Sequence, residues 1–205
     1  MTKIPKIIHQ IWIGPDKIPN HCLEFIKEMK EINPDFKHFL WGNEVFSRVY
    51  KDDPFLQNYI KQPEVYKWAH IADRIRLLLL RDFGGVYVDV DAKPIKSFDS
   101  SIFLKLNKNI SFFAGYRNIN PPWNDKLIDC MILGSSKNSR IINSLLEMYV
   151  DVNWAWAFKP MSSKIFEISG PDVCIFHHNK FFNNLVTKES ILYHENNETR
   201  LKSWY

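Results

Sequence analysis

The chain has 205 residues, of which 45% are hydrophobic and 24% are charged. These proportions are typical of a globular protein, and they exclude a collagen, a disordered tail and a coiled coil. The length suits one domain and is short for two, and the sequence contains no repeat or linker, so we predict a single domain over residues 1–205. The net charge of +4 reflects a near balance of basic and acidic residues, which does not predict a nucleic-acid partner.

No stretch of the sequence predicts a membrane span or a disulfide. The apolar runs all fall short of the roughly 18 residues that a span needs, and His9 and Gln10 interrupt the N-terminal stretch too early for a secretion signal. The three cysteines, Cys22, Cys130 and Cys174, are odd in number and far apart. We therefore expect free thiols in a reducing compartment and a chain that is not secreted.

The hydrophobic pattern predicts strands that alternate with helices. In chain order, the predicted elements are a strand at 7–13, a helix at 22–32, a strand at 36–41, a helix at 66–83, strands at 86–91, 110–116 and 130–133, helices at 138–150 and 171–185, and a strand at 191–194. The pair Gly84-Gly85 ends the second helix, and Pro171 suits a first helical turn. This order favours an α/β fold with a largely parallel sheet.

Two carboxylates, Asp89 and Asp91, end the predicted strand 86–91. Residues two apart on a strand point the same way, so both side chains would reach one side of the sheet at its carboxyl edge. Hard oxygen donors there suit Mg²⁺ or Mn²⁺. A D-x-D triplet is expected about once by chance in a chain of this composition, so a solvated strand end remains the competing interpretation.

The predicted helix 66–83 carries a second pair of charged residues, and these have opposite charges. Asp73 and Arg76 are three residues apart and therefore lie on one face of the helix. A face that packs against a core would not carry such a pair without a use for it. The alternative is a surface ion pair, worth at most about 1 kcal/mol.

Three segments together resemble a known family. Residues 69–76, which read Ala-His-Ile-Ala-Asp-Arg-Ile-Arg, and residues 84–91, which read Gly-Gly-Val-Tyr-Val-Asp-Val-Asp, are similar to the signature of the DXD-motif glycosyltransferases. This family includes fungal mannosyltransferases, bacterial capsular and lipopolysaccharide transferases, and the catalytic domains of large clostridial glucosylating toxins. Residues 4–14 resemble its opening strand. Three motifs in family order are far more specific than the D-x-D alone.

The resemblance implies a GT-A fold, in which helices flank a single Rossmann-like sheet that is mixed and mostly parallel. It also implies a retaining, metal-dependent transferase that moves a hexose from a nucleotide-sugar to a glycan or other hydroxyl acceptor and releases nucleoside diphosphate. A UDP-sugar such as UDP-glucose is the preferred donor, and a GDP-sugar is the alternative. Mn²⁺ is the implied cofactor, with Mg²⁺ as the alternative. A metal-dependent nucleotide phosphohydrolase is the competing function.

The resemblance assigns one group of residues to the nucleotide. Trp12 would stack on the base, next to Ile11, and Asn43 would lie beside the base and ribose. Tyr87 belongs to the same donor site through its place in the motif. Each assignment has a structural alternative, because a Trp at the end of a buried strand often belongs to the core.

The resemblance assigns a second group to the sugar, the metal and the diphosphate. Asp73 and Arg76 would hold the donor sugar, Asp89 would contact the ribose and a metal-bound water, and Asp91 would ligate the metal. These four are the implied catalytic residues. Four residues near the end of the chain would complete the site: His194 would ligate the metal, and Lys202, Ser203 and Trp204 would close over the diphosphate. An ordinary hydrogen-bonded His and a frayed terminus are the alternatives.

One position departs from the family pattern, since Asp129 stands where many relatives have Asn. A change in donor or acceptor preference is the expected effect. The chain shows no Golgi anchor, so it resembles bacterial or virus-encoded relatives more than fungal ones, and we expect it in the bacterial or host cytoplasm. The sequence is equally compatible with the catalytic part of a longer, multidomain polypeptide.

Overall fold

The computed structural model describes residues 3–61, 67–117, 127–148, 158–177, 180–181 and 186–194. In chain order the elements are β1 (Ile7–Ile11), α1 (Asn20–Ile32), β2 (Lys37–Trp41), α2 (Pro54–Tyr59), α3 (Lys67–Phe83), β3 (Gly85–Val88), β4 (Ala92–Pro94), β5 (Phe112–Tyr116), β6 (Ile128–Ser135), α4 (Arg140–Met148), α5 (Phe158–Ile168), β7 (Val173–Phe176) and β8 (Leu192–His194). Short π-helical turns lie at Val45–Val49 and Asp99–Phe103.

A mixed sheet forms the centre of the fold, with strand order β2-β1-β3-β6-β5-β7. The pairs β1–β2, β1–β3 and β5–β7 are parallel, whereas β3–β6 and β5–β6 are antiparallel. Strands β4 and β8 form a small antiparallel ribbon beside it. The predicted α/β class with a mixed, mostly parallel sheet is confirmed.

Strand β3 shows how the sheet is buried on both faces. Val86 and Val88 point into a core that also contains Met29 of α1, whereas Tyr87 points into the core formed with α3 and α4. Every residue of β3 is buried, as expected for a central strand with helices on both sides. Tyr87 therefore faces α3, the helix that carries Asp73 and Arg76.

The turn between α3 and β3 requires two glycines. Gly84 has a φ of +66° and its amide donates to the carbonyl of Leu80, which ends the helix. Gly85 has a φ of +102°, and a Cβ there would lie 2.6 Å from the carbonyl oxygen of Ile7. Because both residues need positive φ and close backbone approach, β3 follows α3 directly and in a fixed register with β1.

Two of the predicted elements are wrong in part. The strand predicted at 86–91 ends at Val88, so Asp89 and Asp91 lie in a turn, and strand alternation is not what places their side chains. The helix predicted at 171–185 is also wrong, because Val173–Phe176 is strand β7, which pairs with β5. Pro171 lies in a turn whose end is marked by a hydrogen bond from the Val173 amide to the Gly170 carbonyl, at 3.0 Å.

The other predicted strands and helices are confirmed within a few residues, while α2, β4 and α5 were not predicted. The three cysteines are free thiols, as expected. No helix within the described ranges combines the length and apolar character needed to cross a membrane.

A buried histidine ties the Gly-Gly turn to the sheet. The His9 ring is stacked on Trp41, whose indole N–H donates to His9 Nδ1 at 3.2 Å. The other ring nitrogen, Nε2, must then carry the proton, and it donates to the Gly84 carbonyl at 2.9 Å. Burial lowers the pKa of His9 to about 4, and the bond to Gly84 only partly opposes this shift. The native protein therefore holds His9 neutral.

This predicts a specific acid sensitivity. Between the ordinary histidine pKa of 6.5 and the native pKa of about 4, the unfolded chain binds a proton at His9 that the native state does not. Stability should thus fall as pH falls through this window, by up to about 3 kcal/mol. In His9→Gln, which keeps a donor and an acceptor but does not titrate, urea unfolding should show a smaller loss between about pH 7 and about pH 4.5. Equal losses in both proteins would contradict the assignment.

Candidate functional site

The two carboxylates of the D-x-D lie in a turn that is anchored at three points. The Asp89 amide donates to the carbonyl of Met131 at 3.0 Å, and the Ala92 amide donates to the carbonyl of Asp89 at 3.3 Å. Between the carboxylates, Val90 is buried in a small cluster with Cys22 and Ile26 of α1. Asp89 and Asp91 remain partly exposed on either side of it. The two backbone hydrogen bonds and the burial of Val90, rather than strand alternation, thus fix this turn.

Arg76 lies at the centre of the site and is 7% exposed. Its guanidinium forms a close ion pair with Asp73, one turn earlier on α3, and donates from Nη1 to the Cys130 carbonyl on β6 at 2.6 Å. The group lies over the ring of Tyr87, 4.4 Å from its centroid. The Asp73–Arg76 pair predicted on one helix face is therefore buried, which excludes the surface ion pair.

Asp89 joins the D-x-D turn to this pair. Its Oδ1 accepts the Tyr87 hydroxyl at 2.6 Å and lies 3.6 Å from Nη1 of Arg76. The Asp89 side chain is 26% exposed, so it connects the buried pair with solvent. Four of the residues predicted for the donor site, Asp73, Arg76, Tyr87 and Asp89, are thus brought together.

The charge states at this node follow from burial and from the neighbours. Burial opposes the charged form of Arg76, yet the carboxylate of Asp73 raises its pKa well above the ordinary value. Burial also raises the pKa of Tyr87 well above its ordinary value, so the phenol stays protonated and can donate to Asp89. The Cys130 thiol is likewise kept neutral, because burial raises its pKa. The node therefore contains one cation, held by carboxylates, beside neutral donors.

Two of the residues predicted around the base lie where β1 ends: Ile11 is the last residue of the strand, and Trp12 begins the loop that follows. Trp12 is half-buried, packs against the Val90 cluster and donates from its indole N–H to the Asp16 carbonyl at 2.8 Å. Ile11 is 5% exposed and belongs to the core, so its side chain is enclosed. The structure places Trp12 beside the D-x-D turn.

Asn43 is engaged with the same loop. Its side-chain oxygen accepts the Gly14 amide at 2.8 Å, and its side-chain nitrogen donates to the Gly14 carbonyl at 3.0 Å. Gly14 has a φ of +119°, a conformation that glycine adopts readily. Asn43 therefore fixes the loop that carries Trp12, a structural contact that the sequence did not indicate.

The remaining predicted residues are described only in part or not at all. In the β4–β8 ribbon, His194 pairs with Ala92, the residue that directly follows Asp91, although the His194 side chain itself is outside the described part. Lys202, Ser203 and Trp204 lie beyond the described residues. Like the contact between Asn43 and Gly14, the hydrogen bond from Arg76 to the Cys130 carbonyl was not predicted, because no side-chain pattern indicates a backbone acceptor.

The donor atoms at the turn suit a hard divalent cation. Among the described residues there is no group of three or more His, Cys, Asp or Glu that could hold a metal. Mg²⁺ and Mn²⁺ usually need only one or two carboxylates, because waters and substrate phosphates supply the other ligands. Asp89 and Asp91, on either side of Val90 in an anchored turn and with partly exposed side chains, fit that mode of binding.

The segment that carries this site matches a known family. Residues 19–109 match the family model described as a glycosyltransferase sugar-binding region containing a DXD motif. An uncharacterized glycosyltransferase of Acanthamoeba polyphaga mimivirus is 31% identical over 153 residues, 69% of this chain and 61% of that protein. A mannosyl phosphorylinositol ceramide synthase of Saccharomyces cerevisiae is 38% identical over 91 residues, 43% of this chain and 22% of that protein. The match thus spans less than two thirds of either relative.

Solved structures with a similar fold are also glycosyltransferases. The PaToxG glycosyltransferase superposes with a TM-score of 0.63 at 19% identity, covering 80% of this chain and 69% of that one. A glycosyltransferase involved in glycosylation of the major capsid of PBCV-1 gives a TM-score of 0.59 at 14% identity, covering 94% and 95%. At these identities the likeness shows the fold alone, and the predicted GT-A fold is confirmed.

Removal of Asp73 should test the electrostatic arrangement of the node. Asp73→Ala leaves the Arg76 charge buried without its main partner, so we expect a loss of about 3 kcal/mol in the free energy of unfolding. The double variant Asp73→Ala/Arg76→Met removes both charges and should lose less. As a control, Asp99→Ala breaks an ion pair with Lys6, whose side chain is 41% exposed, and should cost under about 1 kcal/mol.

The measurement is urea unfolding of the four proteins at neutral pH. If Asp73→Ala is at least as stable as the control Asp99→Ala, Asp73 does not compensate the Arg76 charge. The same conclusion would follow if the double variant is less stable than Asp73→Ala.

Proposed function

Because residues 19–109 match the glycosyltransferases whose sugar-binding region contains a DXD motif, we propose that the chain belongs to this family and moves a hexose from a nucleotide-sugar to a hydroxyl group of a glycan or other acceptor. A UDP-sugar such as UDP-glucose is the preferred donor, and residues 1–205 form one catalytic domain. The observation that carries this proposal is the buried Asp73–Arg76 pair, which meets Asp89 and Tyr87 beside the D-x-D turn.

The donor sugar would be held at the Arg76 node. Arg76 Nε is buried and has no hydrogen-bond partner within the described part of the chain. A buried donor without a partner is costly, and a sugar hydroxyl or phosphate oxygen would satisfy it if donor binding exposes this nitrogen. Asp73, fixed by its ion pair, would accept hydrogen bonds from sugar hydroxyls. Such contacts would hold the anomeric carbon in a defined orientation toward the acceptor.

The nucleotide would lie between the loop after β1 and the D-x-D turn. Trp12 packs on the Val90 cluster, within the same local structure as Asp89 and Asp91. A flat indole there suits stacking on a nucleobase. Asn43 would contribute by holding the loop that carries Trp12, because both the oxygen and the nitrogen of its side-chain amide are hydrogen-bonded to the backbone of Gly14. In this arrangement the diphosphate would lie near the carboxylates.

Asp89 and Asp91 would hold a divalent cation, with His194 as a further ligand. Mn²⁺ is the preferred ion and Mg²⁺ the alternative. When bound, the cation supplies positive charge that stabilises the departing diphosphate. Tyr87 and Arg76 would orient the Asp89 carboxylate through the contacts to its Oδ1. Lys202, Ser203 and Trp204 would close over the diphosphate.

We propose transfer with retention at the anomeric carbon. The bond from that carbon to the donor phosphate oxygen breaks, and a bond to the acceptor oxygen forms on the same face of the sugar. The acceptor hydroxyl proton passes to the departing diphosphate. In this scheme the protein binds and orients the donor and acceptor, and no side chain acts as the base.

The first test is product formation with a panel of UDP- and GDP-sugars in the presence of Mn²⁺. The wild-type protein should release nucleoside diphosphate, slowly when water is the acceptor. Asp91→Ala should reduce turnover by at least about a hundredfold, because it removes a carboxylate from the proposed metal site. Asp35→Ala, a change of an exposed Asp in the turn before β2, should retain wild-type turnover.

The products also separate the two candidate functions. Intact nucleoside diphosphate and a transferred or free hexose support the transferase. Free phosphate or nucleoside monophosphate would indicate the phosphohydrolase, and full activity of Asp91→Ala would refute the metal assignment.

A further inference from the structure

Strand β6 is distorted where it passes the Arg76 node. Its pairing with β5 jumps from Ala114–Leu133 to Gly115–Asp129, so residues 130–132 of β6 have no counterparts on β5. A bulge of this kind breaks the regular ladder and turns backbone groups out of their usual directions. Here the bulge lies beside β3, whose last residue, Val88, pairs with Ile132.

Two carbonyl groups of this bulge contact the site. The Cys130 carbonyl accepts from Nη1 of Arg76 at 2.6 Å. The Met131 carbonyl accepts from the amide of Asp89 at 3.0 Å. The orientation of the guanidinium and the position of the D-x-D turn therefore both depend on the conformation of the same two residues.

A single side chain fixes that conformation. Asp129 is 6% exposed, and its Oδ1 accepts the amide of Met131 at 2.8 Å. This bond spans Cys130 and holds the Cys130–Met131 peptide in place. It therefore fixes the direction of the Cys130 carbonyl and the position of Met131, whose own carbonyl belongs to the next peptide group. Short side chains of this type often bond the backbone two residues ahead and so stabilise irregular conformations.

The other carboxylate oxygen of Asp129 faces a different partner. Oδ2 lies 3.6 Å from Nε of Arg117, whose side chain is 27% exposed and whose amide donates to the Leu127 carbonyl at 2.8 Å. A partly exposed pair at this distance contributes little to stability. The bond from Oδ1 to the backbone is thus the contact that reaches the site.

The geometry points to Asp129 as a positioning residue for sugar transfer. Its carboxylate fixes the Cys130 carbonyl that accepts from Arg76, and it anchors the amide of Met131, the residue whose carbonyl accepts from Asp89, without touching the substrate itself. This inference rests on the proposed function, in which Arg76 and Asp89 help to hold the donor. It differs from the change in substrate preference that the Asp-for-Asn departure suggested.

Four variants separate this role from a general loss of stability. Asp129→Ala removes the acceptor, whereas Asp129→Asn keeps an oxygen at the same place and loses the charge. Arg117→Gln removes the ion pair with Asp129 and leaves the Asp129 carboxylate in place. Ser162→Ala is a matched control, because the buried Ser162 hydroxyl accepts the amide of Ile128, which is on the same strand but outside the bulge, at 2.8 Å.

Release of nucleoside diphosphate should fall in kcat by about ten- to a hundredfold in Asp129→Ala, with the donor KM within about threefold of wild type, because the donor binds but is misoriented. Asp129→Asn, Arg117→Gln and Ser162→Ala should stay within about threefold in kcat. If Asp129→Ala does not fold, Asp129→Val, which suits a strand and lacks the acceptor, takes its place. The positioning role of Asp129 would be overturned by a wild-type kcat in the variant that lacks the carboxylate oxygen. A loss of kcat in Asp129→Asn as large as that in Asp129→Ala would also overturn it.

Hydrogen exchange keeps this test independent of the proposed function. Asp129→Ala should speed hydrogen exchange of the Asp89 amide, measured on the segment 85–92, because this amide donates to the Met131 carbonyl. Ser162→Ala should leave this exchange rate unchanged. A wild-type protein that acts on no nucleotide-sugar would refute the proposed function while the exchange result still stands. Unchanged Asp89 exchange would refute the coupling through the bulge even in an active enzyme.

Discussion

Arg76 carries a full positive charge where little water reaches it, and much of the site is arranged around that charge. Burial of an unpaired ion costs several kcal/mol, so the charge persists only with partners of good geometry. Three elements supply them: Asp73 from the same helix, the Tyr87 ring and the Asp89 turn at the end of β3, and the Cys130 carbonyl from β6. The need to compensate one guanidinium thus fixes how α3, β3 and β6 meet.

The turn between α3 and β3 connects this charge to the rest of the sheet. Gly84 and Gly85 allow the chain to reverse so tightly that Tyr87, on β3, lies under Arg76, on α3. His9 holds this turn from β1 through the Gly84 carbonyl. Because His9 is neutral and its hydrogen bonds are directional, the turn is linked to the strand that leads to Trp12. The sugar and nucleotide parts of the proposed site therefore share one rigid support.

The sequence predicted the features that depend on local pattern. The apolar stripe of α3, its glycine stop and the spacing of Asp73 and Arg76 gave the helix and the pair, and the three family-like motifs gave the GT-A fold. Features that depend on tertiary contacts were missed. The D-x-D turn is set by burial of Val90 against α1, β7 is set by pairing with β5, and the Cys130 contact belongs to a bulge. The spacing of residues along the sequence predicts none of these three features.

The most direct measurement of the central claim is a comparison of Arg76→Lys with wild type, in turnover of a UDP-sugar and in calorimetric affinity for UDP with Mn²⁺. Lys keeps the charge but cannot reach Asp73, the Cys130 carbonyl and a sugar with one planar group. We predict that turnover falls by about a hundredfold while UDP affinity stays within about threefold, since the base and diphosphate contacts remain. Turnover within about twofold of wild type would show that the planar guanidinium does not position the sugar.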